Sequence, residues 1–94
     1  MLRRQARAEI LKALYKNEFT GRRDLNDPNT EDTIDYGDQK HFVEDIFYGT
    51  LDNREEIDEM ITSFTRGWKV ERLAVIDRNI LRMAIFELMF YGKT

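Results

Sequence analysis

The chain has no cysteine, one proline, one histidine and one tryptophan. Without cysteine there is no disulfide scaffold, no thiol nucleophile and no cysteine-ligated metal. The single histidine, His41, has no second imidazole to share a metal with, and beside Phe42 in an acid-rich stretch it reads as a surface or partly buried side chain. Glycine-rich phosphate loops and nucleophile motifs are missing, and no spacing singles out a pair among the many carboxylates. With no constellation of nucleophile, base and orienting group, the sequence predicts a protein that is not an enzyme and uses no cofactor or metal. No apolar run approaches membrane-spanning length. Residues 1–5 are not followed by the apolar stretch of a signal peptide, so the expected location is the cytoplasm.

What is present is helix-forming and charged. The 94 residues suffice for one small domain over residues 1–94. A hydrophobic share of 41% alongside 35% charged residues is enough to pack a core. The formal net charge of −3 conceals an uneven distribution. Residues 1–23 hold seven Lys/Arg against two Glu, residues 24–59 hold thirteen acids against two bases, and residues 60–94 hold six bases against three acids. An acidic average therefore leaves room for a basic patch at the start of the chain, which a polyanion would feel.

Apolar periodicity predicts an all-α fold. Leu2, Ala6, Ile10, Ala13 and Leu14 recur at helical spacing, giving an amphipathic helix over residues 2–19 with Gly21 as its stop. Residues 20–37 read as a solvated loop around the turn cluster at 26–29. Residues 38–66 read as helix, with Phe42, Val43, Ile46, Phe47, Leu51, Ile57, Met60, Ile61 and Phe64 as its apolar side. One continuous helix with a close contact at Gly49 is the preferred reading, and two helices broken near residues 49–53 the alternative. Residues 68–73 read as a connector with one helical turn, anchored by the buried ring of Trp68. Residues 75–91 are the most hydrophobic segment. Ile80, Leu81, Ala84, Leu88 and Tyr91 form one stripe, and Ile85, Phe86, Met89 and Phe90 spread apolar surface to the other sides. Such a helix must be covered nearly all round, which makes it the centre of the bundle. Asp77 is placed to cap its first turn.

At 100° per residue, Arg3, Arg4 and Arg7 fall on one side of the opening helix, and Tyr15 lies near the same line two turns on. Lys12 and Lys16 occupy a neighbouring face. Guanidinium groups for phosphates and a ring for an unstacked base are the parts that single-stranded RNA binding requires. Three arginines at a helix N-terminus also oppose the macrodipole, which hints at selection for something other than stability. The same pattern is equally that of a solvated basic face with Tyr15 in the core. Glu87 sits within the most apolar helix and must be paired or exposed at a gap. An ion pair with an arginine is preferred, and a contact to a partner protein is the alternative. Arg78 and Arg82 share a face and either extend a basic surface or are simply solvated.

These segments together resemble the NusB family. Arg3-Arg4-Gln5-Ala6-Arg7 followed by Ala13-Leu14-Tyr15 resembles the family's arginine-rich first helix. Phe42-Val43, Ile46, Gly49, Ile57-Asp58 and Ile61 resemble its long second segment. Trp68, Arg72-Leu73, the run from Ile76 to Ala84, and Phe86-Glu87-Leu88 are similar to its most recognisable stretch. The resemblance implies a five- to seven-helix bundle around the segment 75–91, with the family's C-terminal helices lacking after Thr94. It further implies a bacterial transcription antitermination factor. Such a factor binds boxA-type single-stranded RNA with the small-subunit ribosomal protein NusE, within the RNA polymerase antitermination complex. Carried over by position, Arg3, Arg4, Arg7, Tyr15 and Asp77 are the expected RNA contacts, and Gln5 stands where some members have a base. Phe42, Phe47 and Glu87 are the expected protein-partner contacts. Two alternatives accompany this: an RNA-binding accessory domain of a ribosomal RNA cytosine methyltransferase, and a structural homodimer.

Overall fold

The computed structural model describes residues 1–25, 34–66 and 69–91. Four α-helices run in chain order: α1 (Arg3–Thr20), α2 (Lys40–Asp52), α3 (Arg54–Phe64) and α4 (Val75–Phe86). α4 passes directly into a π-helical turn, Glu87–Tyr91, and no strand occurs among the described residues. The all-α expectation holds. Residues 26–33, residues 67–68 with Trp68, and residues 92–94 lie outside the described residues, and with them the expected turn cluster and the expected tryptophan anchor.

α1 forms as its pattern dictates. Ala6, Ile10 and Leu14 are completely or almost completely buried. Gln5 accepts a hydrogen bond from the Leu2 backbone amide at 2.8 Å, relieving one unsatisfied donor at the helix start. Gly21 ends the helix in the left-handed region at φ 71°, a conformation open to glycine, and its amide donates to the Asn17 carbonyl at 2.8 Å. Asn17 is itself buried, donating to the Arg22 carbonyl and accepting from Arg54 of α3.

Residues 38–66 do not make one continuous helix. The chain breaks at Asn53, whose side-chain amide and backbone amide both donate to the Gly49 carbonyl, at 2.8 and 3.0 Å. An asparagine that bonds locally in this way competes with helix continuation. The close contact expected at Gly49 is nonetheless real: a Cβ there would lie 2.0 Å from Cζ of Phe86. The connector carries its single turn as a 3-10 segment, Val70–Arg72, with Val70 buried.

α4 touches α1, α2 and α3, so it is central in that sense. It is covered on one side only, which corrects the expected packing. The inward residues are Asn79, Arg82, Met83 and Phe86. Of the expected stripe, Ile80, Leu81, Ala84 and Leu88 face outward, Leu88 with 77% exposure, and only Tyr91 tucks in, edge-on to Phe42. One arginine–carboxylate network explains the rotation. Arg82 donates to Asp58 of α3 through Nε (2.7 Å) and Nη2 (2.9 Å), and to Glu18 of α1 through Nη1 (2.6 Å). Arg78 donates to the same Glu18 through Nε at 2.9 Å. Neither arginine extends a basic surface or is ordinarily solvated. Asp77 lies in the first turn, where its charge suits the dipole, but no side chain caps α4 at Ala74.

Candidate nucleic-acid interface

The first helix turns its buried side, Ala6–Ile10–Leu14–Asn17, toward α2 and α4. With 100° per residue, the opposite side carries Arg4, Ala8, Lys12, Tyr15 and Phe19 within a narrow sector. All five are exposed. The strip runs about 22 Å from Arg4 to Phe19 at the 1.5 Å helical rise.

The arginine trio is divided by its surroundings. Arg4 stands exposed with no ion pair or side-chain hydrogen bond among the described residues. Arg3 folds back onto the body, its guanidinium carbon 3.9 Å above the Phe42 ring centroid and its Nε donating to Gln39 Oε1 at 2.7 Å. Arg7 makes a forked pair with Glu87, Nη2 to Oε1 at 2.5 Å and Nε to Oε2 at 3.2 Å. The hydrogen bond that Arg7 donates to Glu87 holds its guanidinium above the ordinary pKa, against a smaller opposing effect of burial. Its side chain is still 41% exposed, so an edge of the guanidinium faces outward beside the strip.

Tyr15 is 40% exposed and Phe19 65% exposed, and neither belongs to the core. Their ring centroids are 4.8 Å apart with planes inclined by 53°. Lys12 is exposed and pairs loosely with Glu9 at 3.2 Å, and Lys16 is exposed. Asp77 is exposed on the first turn of α4.

Phe42 and Phe47 are corrected by the packing. Their exposures of 3% and 0% make them core residues that offer no surface to a partner. Phe42 instead forms the floor on which Arg3 rests. Glu87 is engaged by Arg7, as the preferred sequence reading had it. Phe19 is the residue that sequence reading passed over; its signal was its angular position, directly opposite Ile10 on α1.

Glu18 ties the platform to the body. Burial pushes its carboxyl pKa up, but hydrogen bonds from Arg78 and Arg82 outweigh that and hold it below the ordinary value. A cavity of about 1030 Å³ opens on this network beside Asn17, Asp52 and Arg54. No cluster of metal-ligating side chains occurs among the described residues, and no helix there is long and apolar enough to cross a membrane.

Comparison with known proteins adds an independent finding. Residues 4–94 match the model of the NusB family. The chain is similar to transcription antitermination protein NusB of Bacillus cereus (strain B4264), with 37% identity over 91 residues, 96% of this chain and 69% of that relative. The protein of the same name in Bacillus mycoides (strain KBAB4) is 38% identical over the same shares. That of Bacillus thuringiensis (strain Al Hakam) is 37% identical, again over 96% of this chain and 69% of the relative. No solved structure gives a significant match.

Proposed function

This chain belongs to the NusB family, and on that footing we propose that it binds single-stranded RNA of the boxA type through the outer side of α1, together with the ribosomal protein NusE, as an antitermination factor. The observation that carries the reading is the exposed strip on α1, with a free guanidinium at Arg4, ammonium groups at Lys12 and Lys16, and an accessible ring at Tyr15.

Arg4 takes a phosphate, and Arg7 adds the edge of its guanidinium that Glu87 leaves outward. Arg3 contributes positive potential from its seat on Phe42. Tyr15 stacks on an unstacked base, a contact that tolerates sequence because every base has a π-face. Asp77 accepts from an exocyclic amino group and supplies a base-edge preference. The relatives are named as antitermination proteins rather than enzymes, and no step of bond making or breaking enters this reading.

Phosphate contacts release counterions, so affinity falls steeply with salt. Fluorescence anisotropy of a labelled boxA-type RNA, with and without NusE, tests the proposal. Arg4→Ala weakens binding to every RNA sequence and reduces the salt slope by about one. Unchanged affinity and slope in Arg4→Ala would remove Arg4 as a phosphate contact, and with it the observation that carries this reading.

A further inference from the structure

Resting on the RNA-binding reading above, we propose that Phe19 is a second base-stacking platform, so that Tyr15 and Phe19 together hold two neighbouring bases of a single strand. Phe19 is the most exposed aromatic ring on α1, at 65%, and contributes nothing to the core. Leaving such a ring in water costs the transfer free energy that burial would recover, and α1 would form as well with a polar residue at that position. Its place on the helix explains its use. It lies one turn beyond Tyr15 in the same strip as Arg4 and Lys12, continuous with the proposed interface.

The two rings touch at 4.8 Å between centroids. No base slides between rings already in contact, so a stacked base must lie on the outer face of each. Their 53° inclination turns those faces apart and splays the two bases, which is how single-stranded RNA is recognised when its bases are pulled out of their own stack. The exposed Lys12 and Lys16 flank the pair and attract the backbone that links the two nucleotides. Phenylalanine lacks a hydrogen-bonding group, so this position adds affinity without base preference, in contrast to Tyr15, whose hydroxyl remains available.

The test uses the full chain and two labelled probes of about twelve nucleotides, within the span of single-strand sites. One is single-stranded RNA and the other is the same ribose-phosphate strand without bases. Phe19→Ala and Phe19→Leu are both expected to weaken RNA binding by about five- to a hundredfold. Binding to the abasic strand, the salt slope and the melting temperature are expected to stay at their parental values. Leucine keeps apolar bulk but has no π-face, so full affinity in Phe19→Leu overturns the proposal, as does an equal loss on the abasic strand. Unchanged RNA binding by both variants, with altered capture of NusE instead, also overturns it and makes Phe19 a protein contact. Arg4→Ala, measured alongside, separates the two readings. If it weakens RNA binding while the Phe19 variants do not, only the second platform fails. If none of the variants moves RNA affinity, the α1 interface fails with it.

Discussion

Gly49→Ala sets two effects of opposite sign against each other, and the structure decides between them. Alanine is favoured over glycine inside a helix by about 1 kcal/mol, so a surface site in α2 would gain stability. At residue 49 the new methyl would lie 2.0 Å from Cζ and 2.6 Å from both Cε atoms of Phe86. None of those separations can exist, so the ring must leave its seat or the α2–α4 spacing must open. Overpacking a well-filled core costs typically about 1–3 kcal/mol, and expelling a buried phenylalanine ring approaches the roughly 3–5 kcal/mol of its deletion. After the propensity gain of about 1 kcal/mol, the two bounds bracket a net loss centred on about 2 kcal/mol. For a domain of this length that lowers Tm by roughly 5–20 °C. Thermal unfolding followed by far-ultraviolet circular dichroism reads it. The double variant Gly49→Ala/Phe86→Leu should regain part of the loss, because the shorter side chain vacates the space and the two changes are coupled. A Gly49→Ala protein melting at or above the parental temperature would refute the seating of Phe86 against α2.

The remaining expectations concern charge. Glu18→Ala leaves the Arg82 guanidinium, whose side chain is 7% exposed, with Asp58 alone and strips Arg78 of its carboxylate; breaking a buried pair in this way lowers Tm by on the order of 10 °C or more. Because the folded-state pKa of Glu18 lies below its ordinary 4.5, its stabilisation is complete above that value and is lost as pH falls through the folded-state pKa, where the unfolded chain has already taken up the proton. Urea midpoints measured from about pH 5 down to pH 2 should therefore fall for the parental chain and fall less for Glu18→Gln; equal slopes would discard the assignment. Arg7→Ala should cost both RNA affinity and stability, since it leaves Glu87, with only 15% side-chain exposure, unpaired. Arg4→Ala should cost affinity alone, and identical melting shifts for the two would show that the Arg7–Glu87 pair contributes nothing to the fold.

The elements that could be read in the sequence are those whose evidence is local. Ala6, Ile10 and Leu14 announce a one-sided helix within a dozen residues, and Gly21 marks its end. The all-α class follows from such patterns alone. The inward side of α4 was not legible, because hydropathy sends Ile80, Leu81 and Leu88 to the interior and Arg82 to the surface. The partners that reverse this, Asp58 and Glu18, lie 24 and 64 residues from Arg82. A buried arginine is tolerated only where carboxylates meet it, and nothing in the neighbourhood of residue 82 reveals that they do. The same reasoning covers the arginine trio. Spacing places Arg3, Arg4 and Arg7 together, but only the fold shows that Gln39 and Phe42 draw in the first and Glu87 the third. At Gly49 the close contact was legible, while the break near residues 49–53 was legible only as the alternative, since it depends on how the Asn53 side chain turns back on the Gly49 carbonyl.

The division of the arginines bears on how the strip works. A flexible set of cations would have to be ordered on binding, at a cost of about 0.5–1.5 kcal/mol for each long side chain immobilised. Here Arg3 and Arg7 are already fixed by Gln39, Phe42 and Glu87, so on the proposed reading they need no further ordering, while Glu87 offsets part of the Arg7 charge. α1 is in turn held at both ends, by Arg7 to Glu87 of the π-helical turn near its start and by Glu18 to Arg78 and Arg82 of α4 near its close. Arginine suits these positions because its planar fork grips a carboxylate through two nitrogens and so fixes direction as well as distance. α2 and α3 contribute the complementary effect, with seven carboxylates against the two bases Lys40 and Arg54. Such helices repel a polyanion, so on the proposed reading the uneven charge favours approach along the outer side of α1.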